Sequence, residues 1–326
     1  MSDDSSPTSP SDQPADFLPG IEHLLASLND PKTAHNPEQM DAIGAQLLQA
    51  ASQYAVTHPD PDQSLQAEFD ILIGRNAWTS ALEKLDVLIE RALARSAWPQ
   101  VLLRRQKAST LLRNLGRTSD ALAMARLTTE SARQIQGVSI PLVMALEQES
   151  FLLWQLGDTA TALTQVGAAL EELGMETSTE LPRARLLVGR ARCHITLGDL
   201  REAEADLDAS FPVLNRMADS YFLAGAQSGL AGWHQTRAQL SWARGERTEA
   251  IAAQRAGISC RQRVNLAPQI EPYVSGPALA DAWWDLAEML NAAGEITETQ
   301  SARTEAGRIR EELGLKRDGC RPEGVR

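Results

Sequence analysis

The chain has 326 residues, a formal charge of −12 and only 5% aromatic residues. β-Branched residues are sparse while Ala, Leu, Gln, Glu and Arg abound, a composition that favours helices over sheets. No run of 18 apolar residues occurs, so no membrane-spanning helix is expected. An acidic chain without a basic stripe is poorly suited to nucleic acid or an anionic membrane, where neutralising phosphates supplies the affinity.

The charge is unevenly placed. Residues 1–73 hold twelve acids against Lys32 alone, a net of −11, and the remainder is close to neutral at −1. Residues 1–15 are rich in Ser, Asp and Pro and are expected to form a disordered acidic leader. They carry neither a basic nor an apolar stretch of the kind a secretory signal needs. Cys193, Cys260 and Cys320 lack metal-ligand spacing and fit structural thiols in a reducing cytoplasm.

In chain order, residues 16–62 are expected to supply N-terminal helices that pack on the body. A short helix follows Pro19, and a second starts at Asn36-Pro37 and ends before His58-Pro59. Gln63–Ile73 and Ala77–Arg95 then read as a helix pair around Gly74, with Ala81 two places late for its column. From Leu102 onward the pattern becomes regular. An apolar-periodic helix ends in a glycine, and a second helix follows, at Gly116, Gly157, Gly198, Gly245 and Gly294. The steps between these glycines are 41, 41, 47 and 49 residues. Residues 175–182 and the Pro-rich stretch 265–277 are expected as connections, and Pro212 as a break in its helix. The last helix should end at Leu313-Gly314, leaving residues 315–326 as a flexible tail.

Small residues hold register across the units. Seven positions before each glycine stand Ser109, Ser150, Ala191, Ala238 and Ala287; five after it Ala121, Ala162, Ala203, Ala250 and Thr299. Twelve after it stand Thr128, Ala169, Ser210, Gly257 and Ala306. Helices approach to about 8 Å only where the crossing residues are small. A self-similar helical period of this size predicts a solenoid of stacked pairs.

These columns, with the words LGRTSDALAMA, LGDTATALTQV, LGDLREAEADL and ARGERTEAIAA, resemble the tetratricopeptide repeat. The resemblance covers residues 100–313 and implies an all-α, right-handed α-α superhelix of about five to six helix pairs. The repeat domain is expected over 63–314. The units exceed the family's usual length, and the Pro that commonly closes the second helix is displaced or absent, which leaves the superhelical pitch open.

Chemistry is thinly represented. There is no glycine-rich phosphate loop, no GxSxG and no HExxH, so no catalytic residue, metal site or cofactor is expected. His194 and His234 lie on successive first helices, but half-buried structural imidazoles explain them more simply than metal ligation. Trp283 is read as core. The first-helix residues expected to face a concave groove are Arg113, Asn114, Phe151, Arg185, Arg192, Gln239, Trp242, Trp284 and Asn291. Trp154 divides evenly between that groove and burial against the neighbouring unit. The residues six places before each glycine include no Asn, which argues against the clamp that grips a chaperone's C-terminal carboxylate. The expected function is therefore a non-catalytic scaffold that binds a peptide or protein segment in the groove, with acidic segments among the candidate partners. The alternative is a regulatory module that captures a small ligand or signalling peptide.

Overall fold

The computed structural model describes residues 61–135, 139–173, 180–220, 224–265 and 272–315. The expected leader, the helices before residue 61 and most of the tail lie outside these residues. The described residues form twelve helices and no strand. They are α1 Pro61–Gly74, α2 Trp78–Ala94, α3 Trp98–Asn114, α4 Thr118–Arg133, α5 Ser139–Gln155 and α6 Thr159–Glu172. Then come α7 Glu180–Leu197, α8 Leu200–Ser220, α9 Ala224–Ala243, α10 Arg247–Asn265, α11 Pro272–Ala293 and α12 Ile296–Glu312. The chain divides into two compact units, Met1–Lys84 and Leu85–Arg326, with the division inside α2.

In the second unit, α3/α4, α5/α6, α7/α8, α9/α10 and α11/α12 are helix pairs, each closed by a turn of two or three residues. Each turn has one geometry. Gly116, Gly157, Gly198, Gly245 and Gly294 all have φ between 78° and 89°, in the left-handed region. The residue after each glycine donates its N–H to a carbonyl five residues back, as from Arg117 to Leu112 and from Asp158 to Leu153. This is the Schellman closure, which satisfies carbonyls that a helix end would otherwise leave orphaned. Asp158 also caps α6 by accepting from the Thr161 N–H at 3.3 Å.

The small-residue columns lie where the helices cross. Ser109, Ala191, Ala238 and Ala287 are fully buried, as are Ala121, Ala162, Ala203 and Ala250, and Ser150 and Thr299 are nearly so. Gly257 shows the tolerance of a crossing. A Cβ there would lie 3.2 Å from Gln235 Cγ and 3.3 Å from the Ala231 carbonyl oxygen. Between these points the large residues fill the core, with Leu111, Leu152, Leu153, Leu207 and Leu240 essentially inaccessible. The repeat is thus an all-α, tetratricopeptide-like solenoid.

Four expectations about boundaries change. Gly74 is the last residue of α1, and the left-handed residue of that turn is Asn76, at φ 55°. Asn tolerates this region better than other side-chain-bearing residues. Counted from Asn76, Ala81 falls in its five-after column and is fully buried, so the apparent two-residue slip disappears. Pro212 does not break its helix; α8 runs through it to Ser220. Pro212 lies on the exposed side, where water can serve the carbonyl left without a donor. Leu181 and Pro182 belong to the first turn of α7, where Pro is tolerated. Likewise Pro272–Pro277 is helical and opens α11, so the connection before it is shorter than expected.

Ion pairs on the flanks join successive helices. Arg190 chelates Asp206 from α7 to α8, at 2.8 and 2.6 Å. Across the next junction Arg244, in the turn after α9, donates to both oxygens of Glu204 on α8, at 2.8 and 2.7 Å. The paired Arg244 guanidinium, assisted by Arg237, holds the Glu204 carboxyl at about 2.

Three outcomes follow from this packing. Ala162→Leu and Ala203→Leu place a branched side chain at a closed crossing and should each cost roughly 1–3 kcal/mol in chemical denaturation. A Cβ at Gly157 meets nothing within 4 Å. The cost of Gly157→Ala is therefore backbone strain alone, about 1–2 kcal/mol, and Gly157→Asn should recover part of it. Glu204 titrates lower folded than its unfolded value of about 4.3. Its pairing therefore stabilises fully at neutral pH, and that contribution is lost as pH falls from that value to about 2. Glu204→Gln should melt lower at pH 7 and show a shallower loss of stability across that interval.

Candidate functional site

The layering of the second unit decides which side chains can meet. First helices of successive pairs touch, α5 with α7 and α7 with α9, and α11 of the fifth pair reaches α3 of the first. Each second helix before α12 instead packs between its own partner and the next first helix. The first helices therefore form the inner, more crowded layer, and that layer closes on itself where α11 meets α3.

On this layer the structure brings several expected residues together. Phe151 of α5 has two guanidiniums over its ring, with Arg113 of α3 5.6 Å and Arg192 of α7 5.3 Å from its ring centre. Arg192 also lies over Trp154 at 5.0 Å, and the rings of Phe151 and Trp154 are 5.9 Å apart. Cation–π attraction of this kind strengthens as the groups leave water. The stack is held from behind. Trp154 Nε1 donates to Thr196 Oγ1 at 2.9 Å, and that hydroxyl donates to the Arg192 carbonyl at 3.0 Å. Asn114 is buried and accepts from the Arg113 guanidinium at 3.1 Å. Arg185 is paired with Glu147 at 2.9 Å.

The remaining expected residues sit elsewhere. The Trp242 ring has Arg247 over it at 5.7 Å, and the Trp284 ring has Arg303 at 5.9 Å. Both arginines belong to the second helix of the same pair, so neither indole joins the Phe151 stack. Asn291 is exposed and Gln239 half-buried. Trp283, read from sequence as core, is only half-buried and lines a surface groove with Thr297, Gln300, Ser301, Thr304 and Glu305. Among the described residues its indole N–H has no partner. His194 lies 3.5 Å from Asp199, while His234 sets its edge against Trp233. Among the described residues no group of three metal-ligating side chains converges, and no helix is long and apolar enough to cross a membrane.

One inner residue is absent from the sequence reading. Arg261 of α10 donates to Gln235 Oε1 of α9, at 3.0 Å from Nε. It stands sixteen residues after Gly245, a position held in the preceding pairs by buried Ala132, Leu173 and Leu214. In the last pair the same position is Arg310, which has Asp281 as its partner, so the change from apolar residues to arginine was the available signal. Burial holds Arg261 down to about 10, helped by repulsion from Arg192 and Arg113 and opposed by Asp281 and Asp285. Burial lowers Arg192 as well, against the pull of Cys193 and Glu147. Both stay charged at neutral pH. Burial pushes the Cys193 thiol up, leaving it a core group rather than a nucleophile.

No protein-family model matches the chain, and no curated protein does. Solved structures resemble it distantly. BtubC (BKLC) from P. vanneervenii is 16% identical, covers 77% of this chain and 96% of its own, and superposes with a TM-score of 0.49. A tetratricopeptide repeat protein from Parabacteroides merdae is 18% identical over 78% of this chain and 98% of its own, TM-score 0.41. A Rap protein crystallised with Competence and Sporulation Factor is 12% identical over 90% and 99%, TM-score 0.45.

Proposed function

We propose that the protein is a non-catalytic binding scaffold that captures a short peptide or protein segment on its inner, first-helix layer. The observation that carries this reading is the Arg113–Phe151–Arg192 stack with Trp154 beside it. It draws on α3, α5 and α7, so three consecutive units converge on one surface. Aromatic and Arg side chains offer large contact area and directed hydrogen bonds, which is why they dominate binding hot spots. The guanidiniums favour a segment carrying acidic groups.

A second reading, a module that senses a small ligand or signalling peptide, draws on the contact of α11 with α3. Closure there limits the length of extended chain that the inner layer admits and favours a compact ligand. Under either reading binding occurs on the same surface, without chemistry.

The test is selection of displayed random peptides on the full chain, followed by affinity measurement on variants. Arg192→Glu and Phe151→Ala should weaken the selected peptides at least about tenfold with circular dichroism unchanged, the range expected of a hot-spot truncation. Trp242→Ala and Trp284→Ala, whose rings are covered by arginines of second helices, should have smaller effects. Peptides that bind all four variants as they bind the parent would overturn the proposal, as would failure to select any.

A further inference from the structure

Among the described residues, Arg192 and Arg261 are inner guanidiniums whose hydrogen bonds go to neutral groups. Two other arginines near them have carboxylates: Arg185 has Glu147, and Arg310 of α12 has Asp281 at 2.6 Å. The hydrogen-bond partners of Arg192 and Arg261 are neutral. Arg192 reaches the Thr236 hydroxyl at 3.4 Å, and Arg261 the Gln235 side-chain oxygen. Gln235 and Thr236 are consecutive residues of α9, so guanidiniums arriving from α7 and from α10 converge on one stretch of a third helix. Gly257 permits this, because α10 crosses α9 against Gln235 and His234 at a distance that a side chain would obstruct.

Placing two like charges in partly desolvated surroundings beside neutral acceptors is unfavourable unless something else satisfies them. A guanidinium presents five donors in a planar fork, and one amide or hydroxyl oxygen leaves most of them unused. The fork matches carboxylate and phosphate oxygens in pairs. Phe151 and Trp154 lie against Arg192, while Arg113, also over the Phe151 ring, adds to the positive potential.

We propose that Arg192 and Arg261, converging on Gln235-Thr236 and flanked by Arg113, form an oxyanion site that anchors a carboxylate or phosphate group of the captured ligand. The inference rests on the inner layer being the binding surface and adds the chemistry that the surface selects. Asp281 and Asp285 face Arg261 from α11 and act against its repulsion by Arg192 and Arg113. They moderate the site without filling it, since Asp281 is already held by Arg310.

The experiment uses the full chain and two probes, inorganic phosphate and succinate, each against sodium chloride at matched ionic strength. Melting temperature and calorimetric titration are read together. The parent should be stabilised saturably by at least one probe beyond the chloride control, and which probe acts separates a phosphate from a carboxylate site. Arg192→Gln and Arg261→Gln should each weaken that probe at least about tenfold, a loss in keeping with a charged hydrogen-bond donor. Arg261→Lys should retain part of the affinity, keeping the charge and losing the fork. Without a probe the Gln variants should melt no lower than the parent, because each removes a desolvated, repelled charge; an arginine with a purely structural role would melt lower when replaced. Absence of a saturable effect in the parent, or its persistence in both Gln variants, overturns the site. Selected peptides that depend on Phe151 but ignore both probes and Arg261→Gln would sink the oxyanion site and leave the inner surface standing. Arg-dependent phosphate or succinate binding with no peptide selected would do the reverse.

Discussion

The close crossing of paired helices is the constraint on which the rest of the repeat depends. A pair can close only where Ser109 or Ala191 meets the column of Ala121 or Ala203, and these side chains are fully buried. The left-handed glycine fixes the phase of that meeting. It reverses the chain in two or three residues, and the following N–H returns to a carbonyl five residues back, so the second helix starts in one rotational setting. With the phase set, Leu111, Leu152 and Leu240 fall inward without further instruction. Tight turns and small crossings are thus one device, and neither would specify the pair alone.

Stacking such pairs separates two classes of arginine. Those on the flanks, such as Arg190 and Arg244, meet carboxylates on a neighbouring helix in two-pronged contacts. Each such pair near solvent adds little stability, but its geometry holds neighbouring helices in register. Inner arginines face a different environment. The first helices crowd one another, α11 closes against α3, and burial lowers both Arg192 and Arg261 from their ordinary values. The same curvature that makes an inner surface raises the cost of leaving charge on it. Under the proposed reading, charge retained there without a carboxylate is what a ligand's oxyanion would satisfy.

Much of this architecture could be read from the chain because its determinants are local or strictly periodic. The turn glycines and all three small columns fall where the spacing put them, since a Schellman turn and a helix crossing each tolerate few residue types. The boundaries that shifted did so for physical reasons. Asn76 does the work assigned to Gly74, because Asn also enters the left-handed region. Pro212 and Pro277 stay inside helices because tertiary packing outweighs the loss of one backbone hydrogen bond.

The candidate site was legible only in part, and the division follows the same logic. Arg113, Phe151, Trp154 and Arg192 lie on first helices at offsets that a helical wheel can project, and they meet. The wheel cannot say which neighbour covers a ring: Trp242 and Trp284 share that projection, yet Arg247 and Arg303 reach them from second helices. Nor does it look inward from a second helix, where Arg261 lies. What brings Arg261 toward Arg192 is the stacking angle between units, a quantity set by the sum of many crossings rather than by any one residue. The trace it leaves in sequence is slight, an arginine where Ala132, Leu173 and Leu214 are buried and where the last pair has the Asp281-paired Arg310. In a repeat protein, a charged residue that breaks an apolar column is unfavourable for the fold in every unit that lacks a partner for it. Such a break is therefore the place to look for the ligand's half of the interaction, ahead of the exposed aromatics that draw the eye first.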